Sequence, residues 1–258
     1  MSAVAIIPAR FAAVRFPGKP LANRTGKPMI QHVVEQAARA RRVSRVIVAT
    51  DDTRIAEAVR GFGGEAIMTR ADHASGTDRI AEVAGTLRDE IVLNVQGDEP
   101  EMDPENIDRL VELMDSNAEV DIGTVACPFP ADRGASGPGS PGDPNCVKVV
   151  LDGCGRALYF SRALIPFPRE GGGQASPASD WLLHLGLYGF RRESLLDLSR
   201  LKPTALEQTE KLEQLRWLYH GHEVFVAIGR RPSAGIDTPE DYEAFVARYR
   251  AGKSTVDS

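Results

Sequence analysis

Val4-Ala5-Ile6-Ile7-Pro8-Ala9-Arg10, continuing to Arg15-Phe16-Pro17-Gly18-Lys19-Pro20, is the stretch whose reading decides the fold. Residues 4–8 are apolar on both sides rather than alternating with polar ones, the pattern of a strand covered on both faces of a parallel sheet. Three cations follow directly: Arg10, Arg15 and Lys19 recur at intervals of five and four, with Gly18 beside the lysine and Pro17 before it. Charge therefore collects where the strand ends, which in open α/β sheets is where ligands bind.

The same rhythm runs through the first half of the chain. The sequence predicts helices near 29–40, 53–62, 77–87 and 104–117, and strands at 46–50, 66–69, 91–95 and 121–126. Short β-branched runs alternating with helical patterns build βαβ units, so a mainly parallel twisted sheet flanked by helices is expected. The rhythm breaks at 133–144, where four glycines and three prolines rule out a helix or a central strand and predict a surface loop. Residues 146–151 and 156–160 then flank Asp152-Gly153-Cys154-Gly155 and read as an antiparallel hairpin. A second Gly- and Ser-rich loop at 171–179 precedes an apolar segment, 181–190, expected to rejoin the core. Two helical patterns follow, the longer at 205–219, then a strand at 224–228 and a last helix. Thr238-Pro239-Glu240-Asp241 announces that helix with a capping hydroxyl, a proline at the first helical position and acids in the first turn. One unit spanning 1–258 is expected, with an insert at about 131–190.

Composition narrows the partners. A chain of 258 residues can bury a full core. Lys and Arg total 31 against 36 Asp and Glu, and a net charge of −5 has the wrong sign for neutralising a phosphate backbone, so nucleic acid is not an expected partner. No apolar run approaches the roughly 20 residues that span a bilayer, and the chain enters a strand with no basic-then-apolar leader. A soluble, cytoplasmic protein with no membrane partner is expected. Cys127, Cys146 and Cys154 are odd in number and lack C-x-x-C spacing, so small buried thiols are expected rather than a disulfide framework or a zinc knuckle.

Several strand-end residues carry candidate chemistry. Guanidinium groups fork onto phosphate oxygens, and a neighbouring glycine lets backbone approach, so Arg10, Arg15 and Lys19 suit a triphosphate clamp. A solvated basic loop would carry the same cations, and charge alone leaves the two readings even. Neither G-x-x-x-x-G-K-[ST] nor G-x-G-x-x-G follows the strand, which disfavours P-loop and dinucleotide folds. Gln96-Gly97-Asp98-Glu99-Pro100 ends the strand at 91–95; a carboxylate there suits Mg²⁺, which takes one or two carboxylates plus substrate phosphates. Taken alone, Asp98 reads sooner as an ordinary turn residue, and Asp237 as a helix-start residue. Ser75-Gly76-Thr77 opens a helix and offers backbone N–H groups to an anion or a base edge, or acts simply as an N-cap. His73 reads as a structural histidine, and His220-x-His222 is assigned no role.

Taken together, these segments resemble the 3-deoxy-manno-octulosonate cytidylyltransferase family. The match carries on through Pro144-Asn145, Val147-Lys148-Val149-Val150, Ala157-Leu158-Tyr159-Phe160-Ser161-Arg162, His184-Leu185-Gly186, Leu212-Glu213-Gln214-Leu215-Arg216 and Gly235-Ile236-Asp237-Thr238-Pro239. The resemblance implies a Rossmann-like nucleotidyltransferase fold with a small antiparallel β insert serving as a dimerisation element, hence a homodimer. It implies CTP and Kdo (3-deoxy-D-manno-octulosonate) as substrates, Mg²⁺ as cofactor, and CMP-Kdo for lipopolysaccharide biosynthesis as product with pyrophosphate. Arg10, Lys19 and Asp98 would be catalytic; Arg10, Arg15, Lys19, Ser75, Gly76 and Arg79 would bind the nucleotide; Asp98 and Asp237 would hold the metal. Sugar recognition would fall to Gln96, Arg162, His184, Tyr188, Glu210 and Gln214. Glu210 and Gln214, four apart on the predicted helix, are expected on one face. Without the resemblance, Arg162 and Glu210 read as an ion pair and His184 as an interior histidine.

Departures from the family fall on Val14 and Phe16, where a small hydroxyl residue and leucine are more usual, on a longer 133–144 loop, and on a 171–179 loop lacking charge. A cytidylyltransferase for an amino-substituted Kdo or a sialic-acid-like sugar would share the phosphate and metal residues. A non-catalytic nucleotide-binding homologue would not need the carboxylate pair.

Overall fold

Ala3, Val4, Ala5, Ile6 and Ile7 are all fully buried, and the strand they form, β1 (Ala3–Ala9), lies between two parallel neighbours. The computed structural model describes residues 3–12, 15–170, 172–175 and 177–254. After β1 come α1 (Met29–Arg39), β2 (Val43–Thr50), α2 (Thr53–Gly61), β3 (Glu65–Met68), α3 (Gly76–Ala84), β4 (Ile91–Asn94), α4 (Pro104–Ser116) and β5 (Ile122–Pro128). The second half holds β6 (Lys148–Leu151), β7 (Ala157–Ser161), β8 (Leu182–Arg191), α5 (Arg192–Leu198), α6 (Ala205–Glu210), α7 (Gln214–Tyr219), β9 (Val224–Ile228) and α8 (Pro239–Ser254).

The main sheet runs β3-β2-β1-β4-β8-β5-β9, with β6 and β7 hydrogen-bonded off it through β8. Within that path only β8 opposes the rest: it is antiparallel to both β4 and β5, while the other pairs are parallel. Because side chains alternate along a strand, β1 feeds two cores. Ala5 and Ile7 pack with Ile30, Val33, Ile55, Ile107 and Leu110 under α1, α2 and α4. Val4 and Ile6 pack with Ile80, Leu195, Leu215 and Trp217 under α3, α5 and α7. The expected helix-sheet-helix sandwich is thus present.

Three expectations need correction. Residues 182–191 form a central strand of the main sheet, so the excursion from it closes before Leu182 rather than at 190. Cys127 is buried, but Cys146 is half-buried and Cys154 is exposed on the β6–β7 turn. The helix predicted at 205–219 is two helices. Lys211 takes the left-handed conformation (φ 55°), and the N–H groups of Lys211 and Leu212 both donate to the Glu207 carbonyl, a Schellman-type stop. This turn drives Leu212 into the core against Leu215. Glu210 ends α6 and Gln214 starts α7, so they do not share a helix face.

A side chain in the left-handed region costs about 1 kcal/mol that glycine does not pay. Lys211→Gly is therefore expected to raise stability by about 0.5–1 kcal/mol in urea unfolding, and a destabilised variant would show that the turn is held by the lysine side chain instead.

Candidate active site

Three segments converge where β1 ends. A Cβ on Gly97 would lie 2.7 Å from the Pro8 carbonyl oxygen, so only glycine lets the loop after β4 press against β1. On the other side, a Cβ on Gly76 would come 3.3 Å from Pro8 Cγ. The strand end, the start of α3 and the Gln96–Asp98 loop thus form one wall at the carboxyl edge of the sheet.

The cationic loop is tied down at both ends. Arg10 Nη2 donates to the His73 carbonyl (2.8 Å), and the His73 ring is in turn bonded to Glu82. Gly18, at φ 71°, donates its N–H to the Phe11 carbonyl (2.9 Å), and Phe16 packs on Tyr242 of α8 with ring centroids 5.7 Å apart. The unusual Phe16 therefore seats the loop on the last helix; Val14 lies outside the described residues. Lys19 Nζ donates to Asp98 Oδ2 (2.9 Å) and to the Ile236 carbonyl (2.6 Å). Ile236 donates its own N–H to the Asp98 carbonyl (2.9 Å), and Arg15 pairs with Asp237 at 2.9 Å. Fold and loop together bring Arg15, Lys19, Asp98 and Asp237 to one corner.

That corner suits a hard divalent ion. Asp98 and Asp237 are 35% and 53% exposed at the side chain, so neither is walled off from a ligand. Among the described residues no closed cage of three or more His, Cys, Asp or Glu exists. Two open carboxylates fit Mg²⁺, which completes its shell with phosphate oxygens and water. Next to Asp98, burial pushes the Glu99 carboxyl up to about 7 against a bond from Ser233 and with the Asp98 charge alongside. That bond ties the loop after β4 to the segment leading into α8.

The nucleotide-side candidates divide. Ser75 caps α3: its hydroxyl accepts the Asp78 N–H while Asp78 accepts the Ser75 N–H. Arg79, expected near the base, is fully buried. Its guanidinium pairs with Asp51 (3.1 Å) and bonds to Thr69 and the Arg70 carbonyl. It offers no surface to a ligand and instead locks the ends of β2 and β3 under the site, a correction whose cause is that the charge is already matched inside.

The sugar-side candidates lie on the loop after β4, just after β7, on β8, and at the end of α6 and start of α7. Gln96 Nε2 donates to the Gly186 carbonyl (3.0 Å). His184 pairs with Thr124 Oγ1 (3.0 Å) between the rings of Phe160 and Tyr188, and burial pushes its imidazole down to about 3. Tyr188 stands edge-on to Trp217, its phenol raised well above the usual range by burial and then by the Glu213 charge. Gln214 is buried at the start of α7. Arg162 and Glu210 are joined, but not as an ion pair: Arg162 Nε donates to the Glu210 carbonyl (2.7 Å), and the Glu210 carboxylate accepts from Ser161 Oγ (2.6 Å) and the Arg162 N–H (2.9 Å). The carboxylate of Glu210 is thus committed to the insert.

Two residues were not singled out in the sequence. Glu213 accepts a bond from Thr77 (2.6 Å), and burial raises its carboxyl against bonds from Thr77 and Ser75. It joins the start of α7 to that of α3, and no periodicity flags it. Lys148 is fully buried, with Nζ donating to the carbonyls of Asp143 (2.9 Å), Cys146 (2.6 Å) and Arg162 (2.5 Å). All three ammonium protons are used, and burial lowers its pKa. A lysine inside the apolar run Val147-Lys148-Val149-Val150 was the available signal.

Cations and open carboxylates at the strand ends of an α/β sheet lacking the dinucleotide fingerprint define a nucleotidyltransferase. The sequence pattern described as Cytidylyltransferase matches residues 4–225, and the chain belongs to that family. It is 52% identical over 249 residues to the 3-deoxy-manno-octulosonate cytidylyltransferase of Syntrophobacter fumaroxidans, covering 95% of this chain and 96% of that protein. To the protein of the same name from Geobacter sulfurreducens it is 49% identical over 256 residues, covering 97% and 100%. Among solved structures, CMP:2-keto-3-deoxy-manno-octonic acid synthetase complexed with CTP superposes with a TM-score of 0.88 at 40% identity, covering 98% of this chain and 100% of that one. A cytidylyltransferase from Leptospira borgpetersenii (TM-score 0.61, 17% identity) shares the fold.

The His184 shift has a fixed sign. Its folded pKa near 3 lies below the unfolded value of about 6.5, so the unfolded chain binds more protons between them and this contribution to stability is lost as pH falls from about 6.5 towards 3. NMR titration is expected to find the His184 ring neutral at pH 5; a midpoint near 6.5 would mean that the ring is open to water.

Proposed function

We propose that this chain is a Mg²⁺-dependent enzyme that transfers the cytidylyl group of CTP to 3-deoxy-D-manno-octulosonate, giving CMP-Kdo and pyrophosphate for lipopolysaccharide assembly. The observation that carries the reading is the Lys19 bridge between Asp98 and Ile236, which puts a phosphate-binding cation and both candidate metal carboxylates at one corner of the sheet.

In the reaction the anomeric hydroxyl oxygen of the sugar acid forms a bond to the α-phosphorus of CTP, the bond from that phosphorus to the β-phosphate bridging oxygen breaks, and the hydroxyl proton is released. Arg10, Arg15 and Lys19 hold the triphosphate and offset the charge that builds on the departing pyrophosphate. Asp98 and Asp237 hold the ion, which when bound polarises the α-phosphate and makes the attacking hydroxyl more acidic. Lys19 and Arg15 stand beside these acids and would turn from them to the triphosphate oxygens when CTP binds. Ser75 and Gly76 open α3 towards the nucleotide, with Arg79 supporting them from beneath. Gln96, Arg162, His184, Tyr188 and Gln214 line the sugar side, where neutral His184 acts as a hydrogen-bonding group rather than a cation. Glu213, bonded to Thr77, couples the two sides.

Leu158 and Phe167, 61% and 70% exposed on and beside the insert, support a homodimer through that face. Among the described residues no helix is long and apolar enough to cross a membrane, and the need for CTP is consistent with work in the cytoplasm.

Pyrophosphate release with CTP and, in turn, Kdo, an amino-substituted Kdo and a sialic acid tests the substrate: turnover is expected with Kdo, and turnover confined to another sugar would replace it. Asp98→Asn is expected to stay folded while kcat falls by two or more orders of magnitude; near-wild-type kcat with Mg²⁺ present would remove Asp98 from the metal site.

A further inference from the structure

One row of residues crosses the sheet beneath the site. Ile6 pairs with Asn94, Asn94 with Tyr188, Tyr188 with Thr124, and Thr124 with Val226. Paired residues point to the same face, and Ile6, Tyr188 and Val226 all belong to the core under α3, α5 and α7. The middle of an apolar face is thus polar at three successive strands. Thr124 is accounted for, bonded to His184 and to the Leu187 carbonyl. Asn94 and Tyr188 are not: Asn94 is 3% exposed and Tyr188 7%, and neither Asn94 Oδ1 nor the Tyr188 hydroxyl has a hydrogen-bond partner. A buried polar atom left unpaired costs about 1–3 kcal/mol, and here two such atoms sit on directly opposed residues.

Their position relates them to the site. Asn94 ends β4 two residues before Gln96, and Gly186, which accepts the bond from Gln96, is two residues before Tyr188. Asn94 therefore lies one step deeper than Gln96 and across from Tyr188, already placed on the sugar side, and the Glu213 charge reaches Tyr188 from the start of α7. The chemistry of the two atoms selects their partner. Oδ1 of an amide only accepts, whereas a phenol donates, so one group that gives a proton to Asn94 and takes one from Tyr188 satisfies both. A hydroxyl does this; a carboxylate, which only accepts, does not.

We infer that Asn94 is a further substrate-contacting residue whose amide oxygen, with the Tyr188 hydroxyl, takes one hydroxyl of the sugar acid. The inference rests on the proposed function and deepens it, because it directs the polyhydroxyl end of the sugar, rather than its carboxylate, to the floor between β4 and β8.

The test is steady-state kinetics on purified Asn94→Leu and Asn94→Ala with whichever sugar acid the wild-type enzyme activates, so that a wrong sugar in the proposed function leaves the comparison intact. KM for the sugar acid is expected to rise about tenfold, as loss of one hydrogen bond implies, with KM for CTP within about twofold. Asn94→Leu is expected to unfold at or above the wild-type temperature, since it replaces an unpaired amide. Adding Tyr188→Phe to Asn94→Leu is expected to cost little more than either change alone, because both residues serve one hydroxyl. Among analogues each lacking a different hydroxyl, one is expected to bind wild type and Asn94→Leu equally. Unchanged sugar KM, equal rises for both substrates, or failure of both variants to fold would overturn the inference and leave Asn94 a structural amide.

Discussion

Lys19 Nζ donates at once to a carboxylate that ends β4 and to a carbonyl just before α8, and much of the site's geometry depends on that double contact. It works beside the Ile236–Asp98 backbone bond, the Ser233–Glu99 bond and the Arg248–Glu101 pair, which also join the carboxyl edge of the sheet to the C-terminal segment. The Lys19 side chain is only 13% exposed, so water screens its contacts little, and one cation facing one carboxylate and one carbonyl dipole is close to balanced. Such a contact is also easy to exchange: a triphosphate offers Lys19 more negative charge than Asp98 does, and a divalent ion offers Asp98 more positive charge than Lys19 does. In the proposed reaction, the interaction that aligns this corner is the one that triphosphate and ion would exchange.

Charged groups elsewhere differ: Lys148 and Arg79 are fully buried and bonded within the protein. Lys148 spends all three protons on carbonyls of the 143–146 segment and Arg162, and Arg162 spends its guanidinium on the carbonyls of Glu210 and Pro144. Five backbone oxygens, three of them on the 143–146 segment, thereby fasten the glycine- and proline-rich loop and the insert to the sheet. Arg79 does the same below α3 with Asp51. Fixed groups of this kind supply the rigid support that a binding site needs, while the mouth keeps groups that can change partners.

The fold was legible where one physical signal dominated. Runs apolar on both sides named β1, β2 and β4, and the Thr238-Pro239 start named α8 to the residue. The break at Lys211 was not legible, because a left-handed lysine has no local signature: burial of Leu212 demands it, and that is a tertiary requirement. The place of β8 between β4 and β5 was likewise invisible, since pairing direction is set by the chain's return from the insert and not by composition. Among site residues, spacing and strand ends marked Arg15, Lys19 and Asp98 as candidates, but only the family resemblance joined Asp237 to them. The roles of Arg79 and Glu210 were not legible, because an arginine that binds phosphate and one that pairs inside read alike in sequence; burial and partner separate them.

The floor of the site turns this argument around. At the mouth, charge is exposed and already paired, so its identity was readable but its occupancy of a ligand is a matter of exchange. On the floor, Asn94 and Tyr188 are buried and unpaired, which the strand pattern could not announce because both occupy ordinary core positions. A core position that carries a polar atom without a partner lowers stability, and Thr124 on β5 and His184 further along β8 avoid that cost by bonding to each other. Two adjacent residues that could not do so, directly across from one another and one step below Gln96, mark the part of the sheet where complementarity is to something other than the protein itself.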